Sequence, residues 1–348
     1  MRLKQVVRFL PVVACVMLPM ISSVAAQGAA SGPYAVTDKW TIGGEGGWDY
    51  LLADPSMHVL YVTHGPRVEV LDLNTGKSVG AITGLKGTHG VALDTDGKLG
   101  YISDGGANEV VVFDRTTYAK VGSIAAGTNP DGLLFEPATK TVWAFNGRSQ
   151  DATVIDTATQ KVVATIKLSG KPEFAQADGK GTVFVNIETK NSIARLDAKT
   201  LKQTAEWPLK GCESPSGLAL DTTHERLYSV CDGKVMAVVN STTGKELKLV
   251  AIGDGPDAVD YDAKDQLVFS SNGDGTLTIV NVKGDADSVV QTVATQKSGR
   301  TMTFDDETGK AYVVAAEFGP KPAATAENPR PRPSVVPGSF KVLVVTKK

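Results

Sequence analysis

The chain has 348 residues, with 36 Lys and Arg against 38 Asp and Glu, a formal net charge of −2. Without a basic cluster it lacks the electrostatic footprint of a phosphate-backbone binder, so nucleic acid is disfavoured as its main partner. The length is ample for a sizeable core, and beyond the N-terminal segment no apolar stretch reaches transmembrane length.

Arg2, Lys4 and Arg8 form a basic start, Phe9 to Val24 is apolar without an acid, and Val24-Ala25-Ala26 places small residues ahead of Gln27. That order is the pattern of a secretory signal peptide over residues 1–26, cut after Ala26, and predicts a periplasmic or secreted product. Val12-Val13-Ala14-Cys15 also resembles a lipoprotein acylation box, but the apolar run continues well past Cys15. Without the leader the mature chain carries 33 basic against 38 acidic residues, a net charge of about −5. Its two remaining cysteines, Cys212 and Cys231, are expected to pair as a disulfide in an oxidising compartment.

Residues 27–348 read as one domain built from a unit of about 42 residues that recurs seven times, a period that indicates stacked supersecondary units. Each copy carries an aromatic-led strand. These begin at Tyr61, Tyr101, Trp143, Phe184, Tyr228, Phe269 and Tyr312. In the second copy Gly90 to Leu93 is strand a, Gly100 to Ser103 strand b, Glu109 to Asp114 strand c and Lys120 to Ile124 strand d, joined by Gly, Asp, Asn and Thr turns of hairpin type. No segment of the mature chain shows a 3.6-residue apolar period, so helix should be nearly absent. The expected fold is all-β: a seven-bladed propeller of four-stranded antiparallel blades around a central channel. The last copy ends after its third strand, and Ala35 to Ile42 precedes the first copy as an unpaired strand. Ring closure is therefore expected from Ala35 to Ile42 beside Lys341 to Val345, which removes exposed edges. Between strands b and c of the seventh copy, residues 318–338 hold Pro320, Pro322, Pro329, Pro331, Pro333 and Pro337, a stiff extended insertion predicted to lie over one face of the ring.

The units resemble those of the YVTN-repeat propellers, exported seven-bladed proteins related to YncE. Tyr61-Val62-Thr63 matches three of the four signature residues. His64 replaces the fourth, Asn, which Asn146 and Asn272 hold in other copies. Asn129-Pro130-Asp131-Gly132 and Gly255-Pro256-Asp257-Ala258 match as well, as do Asp114 and Asp156 closing strand c. The resemblance spans residues 34–348 and implies the fold and an exported location. It leaves function open, because such propellers serve as binding scaffolds and, in distant branches, as enzymes.

In a propeller, the loop leading into strand a and the loop leaving strand b share one face. The candidate ligand-binding residues on it are Trp48, Asp49, His64, His89, Asp131, Asn146, Arg148, Glu173, Asp257, Asn272, Arg300 and Glu317. The carboxylates Asp131 and Asp257 are equally explained as turn caps. A candidate divalent-metal set is His64, His89, Asp49 and Glu173, two nitrogens and two oxygens suited to zinc or another borderline cation. The opposite face receives His58 and His224, read as solvated turn residues. Gly76-Lys77-Ser78-Val79-Gly80 matches the nucleophile-elbow string, but it falls in a c-to-d hairpin and not between a strand and a helix.

Two functions follow. The first is a non-catalytic scaffold that binds a small ligand, an envelope component or a protein at the mouth of the channel, with aromatic support from Trp48 and Phe174. The second is a metal-dependent hydrolase or lyase of the propeller lactonase or streptogramin lyase kind, with His64 or His89 as acid or base.

Overall fold

The computed structural model describes Met1 and residues 32–44, 46–95, 97–284, 287–325, 331 and 333–348. The expected leader over residues 1–26, the cut after Ala26, the acylation box at Cys15 and Pro329 within the insertion lie outside the described residues, Met1 apart.

Seven four-stranded antiparallel sheets are present. Blade 1 comprises Trp48–Asp54, Val59–His64, Arg67–Asp72 and Ser78–Ile82, and the next five blades repeat this order of strands a to d outward. Among the described residues helix is limited to two three-residue 3-10 turns, Pro55–Met57 and Glu188–Lys190. No helix among them is long and apolar enough to cross a membrane.

The aromatic leading each strand b explains why the unit repeats. Tyr61, Tyr101, Trp143, Tyr228, Phe269 and Tyr312 have no exposed surface and Phe184 only 3%. A sheet face buries its side chains only against another sheet, so each aromatic is placed where two blades press together. Tyr61 meets Phe113 of the next blade edge-on at 5.5 Å, Tyr228 meets Tyr261 at 5.8 Å and Phe269 stacks on Phe304 at 4.8 Å. Each such burial is worth about 1.5–3 kcal/mol.

Blade 7 closes the ring as expected. Its inner strands are Thr301–Asp305, Lys310–Ala315 and Lys341–Lys347, and Tyr34–Thr41 adds the outermost strand, antiparallel to the last, with Tyr34 opposite Lys347 and Thr41 opposite Lys341. The seam is reinforced by Gln291 of blade 6, whose amide donates to the Tyr34 carbonyl at 2.7 Å and accepts from the Tyr34 N–H at 3.0 Å. Across the other side, Trp40 lies on Gly76 of blade 1. Gly76 has a φ of +66°, and a Cβ there would sit 2.1 Å from the indole, so only glycine fits both demands.

The turns between strands c and d follow one device. Asp72 accepts from the N–H groups of Asn74 and Thr75 and from the Thr75 hydroxyl, and Asp114 does the same for Thr116 and Thr117. On the far face His58 takes the left-handed conformation that ends a 3-10 turn, and His224 Nδ1 lies 2.7 Å from Asp221 Oδ2.

The insertion is pinned at its base. Phe318 pairs antiparallel with Val335, the Gly319 N–H donates to the Ser334 carbonyl at 2.9 Å and the Val336 N–H to the Glu317 carbonyl at 2.8 Å. Its two ends thus form a short paired neck where the proline count alone predicts an unpaired, extended excursion. Phe318 rests on Trp48, with ring centroids 5.8 Å apart.

Candidate functional site

The innermost strands of five blades carry the same irregularity near their start. Their pairing with strand b slips between Trp48 and Leu51, Thr88 and Val91, Pro130 and Leu133, Pro172 and Ala175, and Pro256 and Val259. A bulge re-aims the residue it displaces. The first displaced residues are Asp49, His89, Asp131, Glu173 and Asp257, and the matching positions of blades 5 and 7 are Ser216 and Arg300. Six of seven equivalent positions around one axis are therefore ionisable.

Small polar side chains of strand b hold these bulges. Thr63 Oγ1 accepts from the Asp49 N–H at 3.2 Å and donates to the Tyr50 carbonyl at 3.0 Å. Ser103 Oγ accepts from the Gly90 N–H at 2.7 Å and donates to the Asp131 carbonyl of the next blade. Asn186 Nδ2 donates to the carbonyls of Ser216 and Gly217, and Ser271 Oγ to that of Arg300. The ring is thus tied blade to blade through buried hydrogen bonds.

The residue after each ring position is Tyr50, Gly90, Gly132, Phe174, Gly217, Ala258 and Thr301. Blades 1 and 4 supply the two large members, and the small residues elsewhere leave space for them. Tyr50 and Phe174 stack across the channel with centroids 4.2 Å apart and planes at 27°. This pair is the floor of a polar cup. Toward the far ends of the innermost strands lies a cavity of about 490 Å³ lined by Leu52, Leu133, Leu134 and Phe135 together with Asp54, Arg115 and Gln176.

Within the cup the charges interlock. His89 Nδ1 lies 2.6 Å from Asp49 Oδ2 and 3.7 Å from Asp131 Oδ1. Lys171 contacts Glu173 and lies 2.7 Å from Glu188, and Arg300 Nε lies 3.3 Å from Asp257 Oδ2. Burial pushes the His89 pKa down, but the hydrogen bond it donates to Asp49 and the charges of Asp131, Asp49 and Glu173 outweigh it and raise the imidazole to about 9. Desolvation, reinforced by Asp49, raises Asp131 against the pull of His89 and Lys171. Glu173 is raised by desolvation and by Asp131. Asp257 is raised to about 7 by desolvation, with Arg300 opposing and Asp49 and Glu173 adding. Lys171 is raised despite its burial, by Glu173 and Glu188. Among the described residues, five carboxylates, counting Glu188, thus face Lys171, Arg300 and the His89 imidazole, and desolvation raises three of the five, Asp131, Glu173 and Asp257.

Of the residues expected to form one rim, Asp49, His89, Asp131, Glu173, Asp257 and Arg300 stand in this ring. The others do not join it. His64 ends strand b opposite Trp48, is 1% exposed, and stacks on Phe340 at 4.0 Å with Glu69 Oε1 3.9 Å from its Nδ1. Trp48 packs between Phe340 and Phe318. Asn146 donates to Asp151 and Thr153 of its own blade, and Asn272 to Thr276 and Thr278 of its own. Arg148 is on an exposed loop. Glu317 is exposed beside Lys341. Of the expected metal set, Asp49 and His89 are in contact, Glu173 is engaged by Lys171, and His64 is on a different strand with different partners. The residues of one group that meet are Asp49, His89 and Asp131, whose donor atoms all lie within 4.8 Å of one another.

Sequence reasoning overlooked Tyr50 and Lys171. The signal for Tyr50 was a bulky aromatic at a position where other copies carry Gly, Ala or Thr. Cys212 and Cys231 are joined as expected, with Cα atoms 5.3 Å apart.

No protein-family profile matches the chain, and no curated protein matches it. Among solved structures, a chain of Kuenenia stuttgartiensis hydrazine synthase superposes with a TM-score of 0.70 at 16% identity, over 77% of this chain and 92% of that one. That likeness shows the β-propeller fold alone.

Proposed function

We propose that the protein is an exported, non-catalytic propeller of the YVTN-repeat kind that receives a cation-bearing small ligand in the cup at the mouth of its channel. The observation that carries this reading is the ring itself: Asp49, His89, Asp131, Glu173 and Asp257 occupy equivalent bulge positions, and Arg300 the matching one. The Tyr50–Phe174 pair closes the cup beneath them. Lys171, Arg300 and His89 offset part of this charge, but desolvation still raises Asp131, Glu173 and Asp257, and a further cation supplied by a ligand relieves the repulsion that remains. Aromatic faces beneath add attraction for a cation. Export rests on the leader pattern at residues 1–26 and agrees with the Cys212–Cys231 disulfide. A hydrolase or lyase would use His64 or His89 as acid or base; His64 is buried against Phe340, and His89 is held by Asp49.

The test is thermal-shift and calorimetric titration of the mature protein with a panel of diamines, guanidino compounds and quaternary amines. Binding is expected to be lost in Glu173→Gln and Asp257→Asn and kept in Arg148→Ala and Glu317→Gln. Binding that survives both ring substitutions places the site elsewhere.

A further inference from the structure

Resting on that reading, we propose that the ring also holds a borderline divalent metal ion, bound by Asp49 Oδ2, His89 Nδ1 and Asp131 Oδ1, beside the Glu173 and Asp257 positions left to the ligand's own cation. The three donors come from consecutive blades, on bulges tied by the Thr63 and Ser103 hydrogen bonds, so their placement is set by the scaffold and not by flexible loops. Coordinate bonds of about 2.1 Å set at tetrahedral or octahedral angles put neighbouring donors roughly 3.0–3.4 Å apart. The observed separations from His89 Nδ1, 2.6 and 3.7 Å, straddle that range. Small shifts of two carboxylates make it uniform.

Three further features favour a metal over an organic ammonium at these three donors. First, His89 Nδ1, once the metal displaces its proton, stands between two carboxylate oxygens as a donor set for zinc-like ions, while an ammonium calls only for acceptors such as the carboxylates. Second, the Asp131 carboxylate accepts no hydrogen bond among the described residues, and its nearest cation is His89, already committed to Asp49 at closer range. Third, the Tyr50 hydroxyl is fully shielded and without a hydrogen-bond partner, and it lies against Gly132, the residue after Asp131. A polar atom in that state beside the donors is explained by a partner that the chain itself does not supply. The imidazole is also cradled: a Cβ on Gly105 would stand 2.8 Å from His89 Nε2. Asp49 and His89 retain about a quarter of their side-chain surface, so the ion is open toward the mouth and has positions left for a ligand atom.

The experiment uses the mature protein stripped with a chelator, then titrated with Zn²⁺ by calorimetry, with Co²⁺ absorption as a second readout. One equivalent is expected to bind. His89→Ala and the isosteric Asp131→Asn are each expected to weaken binding by about 100-fold or more, because each removes a direct ligand. His224→Ala, on the far face, is expected to match wild type. Wild type that takes up no stoichiometric Zn²⁺, or His89→Ala and Asp131→Asn that bind as wild type does, overturns the proposal. If Zn²⁺ fails while organic cations still bind in a Glu173- and Asp257-dependent manner, the metal falls and the cup reading stands. If Zn²⁺ binds as expected and no organic cation does, the metal stands and the ligand must be sought among molecules that coordinate it.

Discussion

Tyr50 and Phe174 stack face to face across the central channel at 4.2 Å, although 124 positions separate them along the chain. They come from blades 1 and 4, as far apart as a ring of seven allows. The contact therefore spans the channel and ties opposite sides of the ring.

Two substitutions at this pair should move in different directions. Phe174→Ala removes half of the floor and is expected to cost about 2–4 kcal/mol, at the lower end if the partly open site relaxes. Tyr50→Phe keeps the stack and deletes a hydroxyl that has no partner. It should be neutral or stabilising by up to about 1 kcal/mol, since an unpaired buried polar atom is itself a cost. Urea denaturation of both variants checks this. A loss of stability in Tyr50→Phe comparable to that of Phe174→Ala would mean that the hydroxyl has a structural partner.

A second prediction concerns pH. The Asp257 carboxyl is raised to about 7 in the folded protein, chiefly by desolvation. An acid whose folded pKa lies above its unfolded value near 4 favours folding while protonated. Its contribution is fully present below about pH 4 and is lost as pH rises through about 7. Asp257→Asn has no proton to lose. Its melting temperature relative to wild type should therefore be more favourable at pH 8 than at pH 4, measured without metal. An equal difference at both pH values would contradict the burial argument.

The closure seam gives a third. Gly76→Ala forces a side chain into a φ of +66° and against the Trp40 ring. It is expected to destabilise by about 2 kcal/mol or more, since strain and overpacking act together. Gly309, also at positive φ but with open space around it, supplies the comparison: Gly309→Ala carries the conformational penalty alone, about 1 kcal/mol. Thermal unfolding of the two variants separates the terms, and equal losses would remove Trp40 from the explanation.

The sequence made the repeat legible because burial at a blade interface demands an aromatic in every copy, from Tyr61 to Tyr312. It also made closure legible, since a strand without a partner at each end has one low-energy solution. The site was harder to see. The residues at the end of strand b, His64, Asp104, Asn146, Ile187, Cys231, Asn272 and Ala315, differ from copy to copy, which is what a set of site residues would also do. Most of them instead answer local needs: Asp104 caps the Lys86 and Gly87 N–H groups, Asn146 and Asn272 bond within their blades, and Cys231 is bridged. The working series lies one strand further in, where bulges redirect the side chains. A bulge is a slip between two strands and leaves little mark in either one read singly, and the Tyr50–Phe174 contact depends on the ring being closed.

The disulfide supplies the last prediction. Blade 5 has the shortest innermost strand, Leu218–Asp221, and its ring position, Ser216, lies in the loop before it. That loop is held by the Cys212–Cys231 bond, by the bridge between Glu213 and Asp232 and by the Ser216 carbonyl accepting from Asn186. The bond encloses 19 positions of chain, and a loop of that size is worth about 3 kcal/mol through restriction of the unfolded state. Replacing both cysteines by Ala should lower stability by about that amount. It should also weaken ligand binding in the cup, because Ser216 Oγ donates to the Asp257 carbonyl at 3.0 Å and thereby links the loop to the neighbouring ring position. Titration of the double variant at a temperature where it is fully folded distinguishes the two effects. Unchanged affinity with lowered stability would confine the disulfide to holding the blade and detach it from the cup.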